Sequence, residues 1–172
     1  ITYLKSLAYR QKSKNLNGEI VDLVALARFY HRTNNPQVAL SQIEKAKERL
    51  NDAKGDITKR PDIILQEGWI QVELGKFAQA EENFSLARKS YEAIDSRAGQ
   101  AMSLCGLSVV NQRKGKLKEA LPYIEESIKL VESLLTQIIN NKFRLTFSSG
   151  IQPYYEIYIN LLMRLHEVFP NE

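Results

Sequence analysis

Apolar residues return along this chain at intervals of three and four, and the whole pattern returns after about forty. Small residues mark it at Ala39, Ala80 and Ala120, spaced by 41 and then 40. Four positions after each stands a large apolar residue, Ile43, Phe84 and Ile124. Seven positions after each stands a small one, Ala46, Ala87 and Ser127. Offsets of four and seven share one helical face, so each segment predicts an amphipathic helix. A second helical pattern precedes each one. It carries Leu23, Leu26, Ala27 and Tyr30 in the first copy, Ile64 and Gly68 in the second, and Leu104, Leu107 and Ser108 in the third. Ala27, Gly68 and Ser108 are small enough to let two helices approach closely.

The connections have matching chemistry. Asn35 before Pro36 reads as an N-cap followed by proline at the first helical position. Gly75 and Gly115 suit the left-handed residue that ends a helix. Asp95-Ser96 and Asp56 offer caps for the helices that follow. Each copy is thus expected to be two antiparallel helices. The expected segments are 17–55, 56–95 and 96–140, the last with a long second helix. Residues 1–16 read as the second helix of a truncated preceding copy, and 141–172 as a linker and terminal helix. Within 151–168, Tyr155, Ile159, Leu162 and Leu165 are expected to share one face, with Tyr158 and Leu161 beside it. Both ends read as apolar, where a repeat stack normally carries polar caps. With Ile1 rather than Met at the start, the chain reads as an excerpt of a longer protein.

On these positions the chain resembles tetratricopeptide repeats of a long variety. It departs from them at Glu67, where an apolar residue is usual, and at Gln71 and Asn111, which replace the aromatic that Tyr30 supplies. The proline that commonly closes the second helix is missing. The resemblance implies an all-α fold, a right-handed superhelical stack of antiparallel helix pairs forming an α-solenoid. A second resemblance begins at Val131: VESLLTQIINNKFRLTFSSGIQPYYEIYINLLMRLHEVFP. Through Glu132-Ser133-Leu134, Thr136-Gln137-Ile138, Arg144, Gln152, Tyr154-Tyr155, Glu156, Tyr158-Ile159, Leu161-Leu162-Met163 and Leu165-His166 it is similar to the segment that joins such repeats to a CHAT domain in bacterial, especially cyanobacterial, proteins. Leu135, Thr146-Phe147 and Pro153 depart from that segment. A CHAT domain is caspase-like with a His–Cys dyad. The resemblance implies one beyond Glu172, with this chain as its regulatory arm.

Composition narrows the function classes. A chain of 172 residues, 44% hydrophobic and 26% charged, has one domain's length and can bury a core. A net charge of +4 is no nucleic-acid signature, and the basic run Arg10 to Lys14 is short. No apolar run approaches the ~20 residues that span a bilayer. The single Cys105 forms no intrachain disulfide, which points to a reducing, cytoplasmic setting.

The residues give little support to catalysis. His31 and Cys105 fall on first helices of different copies, too far apart for a nucleophile–base pair. His166-Glu167 is an isolated pair near a helix end. No HExxH, paired CxxC or calcium loop occurs. Gly75-Lys76 and Gly115-Lys116 lack the rest of a phosphate loop. Glu81-Glu82 and Glu125-Glu126 are adjacent on helices and diverge by about 100°. The expectation is no enzyme, no cofactor and no metal.

The family resemblance implies a concave groove lined by the first helix of each copy. Its residues would be Val24, Arg28, His31 and Arg32, then Leu65, Trp69, Val72 and Glu73, then Cys105, Val109, Gln112 and Arg113. Trp69 and Leu65 would supply affinity, and Arg28, Arg32 and Arg113 would orient an acidic peptide. The Lys/Asn clamp that some relatives use for carboxy-terminal peptides is absent, since Val24, Arg28, Leu65 and Trp69 stand in its place. The expected function is a protein–protein interaction scaffold that binds a peptide or partner helix and positions a caspase-like domain. A peptide-signal sensor, a free-standing adaptor and a bare spacer are the alternatives. Self-association through the terminal helices is a further expectation; nucleic acid and membrane are not expected partners.

Overall fold

A computed structural model describes residues 2–13, 15–55, 57, 60–138 and 144–170. Asp56, Lys14 and residues 141–143 of the expected linker lie outside them. The described residues form eight helices and no strand: α1 (Thr2–Lys12), α2 (Leu16–Arg32), α3 (Pro36–Asp52), α4 (Pro61–Glu73), α5 (Phe77–Ala93), α6 (Arg97–Arg113), α7 (Leu117–Ile138) and α8 (Arg144–Val168). The chain divides into two compact units, Ile1–Leu86 and Ala87–Glu172, with the division inside α5.

Three-residue connections join α2 to α3, α4 to α5, α5 to α6 and α6 to α7. Each turns in the same way. The last residue but one before the next helix takes a left-handed backbone, with φ 58° at Asn34, 71° at Gly75, 52° at Asp95 and 76° at Gly115. Its N–H returns to a carbonyl three residues back: Asn34 to His31 at 3.1 Å, Gly75 to Val72 at 3.1 Å, Gly115 to Gln112 at 3.1 Å. The next N–H reaches five back: Asn35 to Tyr30 at 2.9 Å, Lys76 to Gln71 at 2.8 Å, Lys116 to Asn111 at 2.9 Å. This paired arrangement satisfies carbonyls that a helix end leaves open. Asn, Asp and Gly hold these positions because they tolerate positive φ at least cost.

The helix starts differ in part from expectation. Ser96 caps α6 by accepting from the Gly99 N–H at 3.4 Å, whereas Asp95 is the left-handed residue that ends α5. Asn35 precedes α3, yet its side-chain amide donates to the Thr33 carbonyl at 2.7 Å and caps nothing. Pro36, at the first helical position, removes one open donor instead.

In the first unit the core is built from Ile20, Leu23, Val24 and Ala27 of α2, Ala39, Ile43, Ala46 and Leu50 of α3, and Ile63 and Ile70 of α4. Ala80 and Phe84 of α5 are also fully buried. A Cβ on Gly68 would lie 2.8 Å from the Phe84 ring, so the small residue there is a packing requirement. Glu67, the polar departure, is buried and pairs with Lys47 Nζ at 2.5 Å. Gln71, likewise buried, accepts from Asn83 Nδ2 at 2.9 Å.

In the second unit α7 packs against both α6 and α8, and α8 also touches α6. Ala101, Leu104, Val110, Ala120, Ile124 and Leu161 are fully buried. Ser127 Oγ ties α7 to α6 by donating to the Ala101 carbonyl at 2.7 Å. The terminal helix begins at Arg144, earlier than expected, and its packed face is offset from the expected one. Tyr154, Ile157, Tyr158, Leu161 and Leu165 turn inward, while Tyr155, Ile159 and Leu162 are exposed. Apolar residues occupy both faces of α8, so their period alone does not identify the buried one.

Candidate interaction surface

The expected groove residues sort by depth once the helices pack. Val24, Leu65, Val72 and Cys105 are between 2% and 6% exposed. They belong to the interior of their units, and the expectation that they line an open groove is corrected on that ground. Leu65 has too little surface to supply affinity for a ligand. The reason is periodicity: α2, α4 and α6 each bury more than one face, so a position assigned to the groove also reaches the core.

The remaining residues are accessible. In the first unit, Arg28, Arg32 and Glu73 are exposed, and His31 and Trp69 are half-buried. α2 and α4 are in contact, and Gln66 Nε2 lies 3.4 Å from His31 Nδ1. Burial pulls the His31 imidazole below its ordinary value, with Glu73 opposing the shift. Trp69 sets its ring edge against Phe84, with centroids 5.0 Å apart and planes at 67°. One side of the indole is therefore anchored to the core while part of it meets solvent. Arg28 and Arg32 flank a surface concavity of about 500 Å³, which Ala25, Phe29 and Thr33 also line. Among the described residues neither arginine pairs with a carboxylate.

In the second unit, Arg113 is exposed and Val109 and Gln112 are half-buried. Arg164 of α8 approaches the Gln112 carbonyl, with its Nη2 at 3.4 Å. Burial pushes the Cys105 thiol up to about 12 and, together with the nearby Cys105, pushes the half-buried Tyr154 phenol up to about 12. A thiol with that value is protonated at neutral pH and a poor nucleophile. A concavity of about 490 Å³ is lined by Lys118, Leu121, Leu162, Leu165, His166 and Phe169, with Lys118 Nζ 4.2 Å from the centre of the Phe169 ring. His166 is exposed at its rim.

Among the described residues, no group of three His, Cys, Asp or Glu side chains is placed to hold a metal ion. No helix there is long and apolar enough to cross a membrane.

The cap residue Asn15 was not among the sequence expectations. Its Oδ1 accepts from the Gly18 N–H at 3.0 Å, and the pair Asn15–Gly18 stands 81 positions before Ser96–Gly99. That spacing, two repeat periods, was the available signal. No family model matches the chain, and a search of curated proteins gives no match.

Proposed function

We propose that this chain is a non-catalytic protein-interaction module of tetratricopeptide-like repeats, stacked as a right-handed superhelix, in a cytoplasmic protein. In this reading it holds a peptide or partner helix and positions a caspase-like domain that follows it in a longer bacterial protein. The ligand-facing residues in the first unit are Arg28, Arg32, Trp69 and Glu73; Val109, Gln112 and Arg113 serve the second. Trp69 supplies affinity, because an indole already held on one edge by Phe84 loses little freedom on binding. The arginines orient acidic groups of the ligand.

The observation that carries the repeat reading is the recurrence of one turn. Asn34, Gly75 and Gly115 share the left-handed backbone at the same register, and each is followed by a fully buried Ala39, Ala80 or Ala120. Regular hairpins with unpaired cations and a half-exposed Trp on their first helices favour binding over catalysis.

Trp69 is the sole tryptophan, so its fluorescence reports on this face alone. Peptides selected from a random display library against the full chain are expected to change that fluorescence saturably. Trp69→Ala should weaken them by about 30-fold, the size of a hot-spot loss of roughly 2 kcal/mol. Unchanged affinity in a folded Trp69→Ala chain would remove Trp69 from the site, and a selection that enriches nothing would remove the binding function.

A further inference from the structure

Phe29 is 51% exposed on α2, whereas the residues at the same register, Ile70 on α4 and Val110 on α6, are 0% exposed. A position that is interior in two copies is open in the first. It belongs to a continuous face. Val21, Ala25, Phe29 and Arg32 recur along α2 at four- and three-residue spacing, Val21 is itself 52% exposed, and Arg28 borders the strip. Ala25 and Phe29 match the buried Gln66 and Ile70 of α4 and Gly106 and Val110 of α6, and Val21 extends their strip by one turn, so α2 presents an apolar face suited to another helix.

A second open face of complementary character lies on α8. Tyr155, Ile159, Leu162 and Met163 recur at the same spacing and are 36%, 54%, 41% and 59% exposed. Glu156 and Glu167 follow the edge of this strip, eleven residues or three turns apart, and both are exposed. Glu156 accepts a hydrogen bond from Gln152 at 2.8 Å and has no cation partner among the described residues. So α2 presents an apolar strip bordered by two unpaired arginines, and α8 presents an apolar strip bordered by two carboxylates.

We infer that the chain associates head to tail, the α8 strip of one copy docking on the Val21–Phe29 face of α2 in a second copy. The apolar strips supply the contact, and the edge of α2 that carries Arg28 and Arg32, one turn apart, faces the carboxylate edge of α8, where the two arginines converge on one of Glu156 and Glu167. The contact joins two different surfaces, so it leaves one of each free on every pair, and the assembly grows by addition. A single helix laid on a single helix is a small contact, so the association is expected to be weak, on the order of tens of micromolar. This goes beyond the peptide-binding proposal and needs no peptide.

The test is sedimentation of the full chain between about 1 and 200 µM, a span bracketing that affinity. Wild type should gain mass with concentration and pass beyond a dimer. Phe29→Asp and Ile159→Asp each place a charge on one strip at an exposed position, so each should keep wild-type helix content by circular dichroism and stay monomeric. An equimolar mixture of the two retains one working strip of each kind and should stop at a one-to-one pair. Mixing R28E/R32E with E156R/E167R should restore the association that each loses alone, by at least tenfold. A wild type that remains monomeric overturns the inference. So does one that stops at a dimer, or one whose association survives both Asp substitutions.

Discussion

α2 and α6 open in the same way and then solve the same problem with different residues. Asn15 and Ser96 cap them, each accepting from a glycine N–H three residues on, Gly18 and Gly99. At later matching positions α2 has Asp22, Val24, Ala27 and Tyr30 where α6 has Ser103, Cys105, Ser108 and Asn111. The interior of α2 holds charge: Asp22 is bound by Arg10 Nε at 3.1 Å and Ser6 Oγ at 2.7 Å, and buried Glu19 by Arg49 Nε at 3.0 Å. These partners come from α1 and α3, so α2 is fastened to its neighbours by ions. α6 satisfies its polar interior within itself, Ser103 Oγ donating to the Gly99 carbonyl and Asn111 Nδ2 to the Leu107 carbonyl, both at 2.9 Å. Cys105 fills the place of Val24 and behaves as a small hydrophobe. A shared register therefore fixes where a side chain points, while its neighbours decide whether a polar one can be tolerated there.

The two glycines give the sharpest way to break this comparison. A Cβ on Gly99 would fall 2.1 Å from the Tyr91 ring, whereas one on Gly18 would meet the outer Arg10 side chain, its Nη1 at 2.5 Å and Cδ at 2.7 Å, which can shift more readily than a packed ring. Gly99→Ala should cost about 3 kcal/mol of stability by overpacking, and Gly18→Ala less than about 1 kcal/mol, in urea unfolding. Equal costs would mean that the glycines serve one common purpose. Next in size is Arg10→Met, which leaves the Asp22 carboxylate buried without its cation. The loss should be about 2 kcal/mol, below that of a fully buried pair because Arg10 is 34% exposed. Ser103→Ala on α6, with no ion to strand, should cost about half as much.

The caps rank lower. Asn15→Ala should cost about 1 kcal/mol and Ser96→Ala somewhat less, since its hydrogen bond is longer; reversed order in thermal unfolding would contradict the observed geometry. The smallest effect is on pH. His31 matches Gln112 on α6, which does not titrate. Its folded value lies below the ordinary 6.5, so between the two the unfolded chain binds more protons. Stability should therefore rise with pH through that window and fall as pH drops below about 6.5. His31→Gln should flatten that slope without changing stability near pH 8, as followed by urea midpoints across pH.

The helices and their turns were largely legible in the sequence, because Ala39, Ala80 and Ala120 with their partners at four and seven positions are a local pattern that packing leaves intact. Gly75 and Gly115 announced left-handed turns through their lack of a side chain. Asn34 was less visible, since Asn adopts that conformation without requiring it. The surface was harder to read. Leu65 and Val72 share a helical face with Trp69, and only the packing of α4 separates a buried strip from an open one. The α8 face was misplaced for the same reason, with Tyr154 and Tyr155 equally apolar by sequence, Tyr154 half-buried and Tyr155 exposed. Glu19 and Asp22 gave no warning of their depth, because their partners Arg49 and Arg10 lie on other helices.

The proposal that the first helices of these repeats bind a peptide is tested most directly by amide and indole chemical-shift mapping of the full chain with a selected peptide. The account predicts shifts concentrated at Arg28, Arg32, Glu73 and the Trp69 indole, with α3 and the buried Leu65 side chain little affected. Shifts centred on α3, or none at saturating peptide, would contradict it.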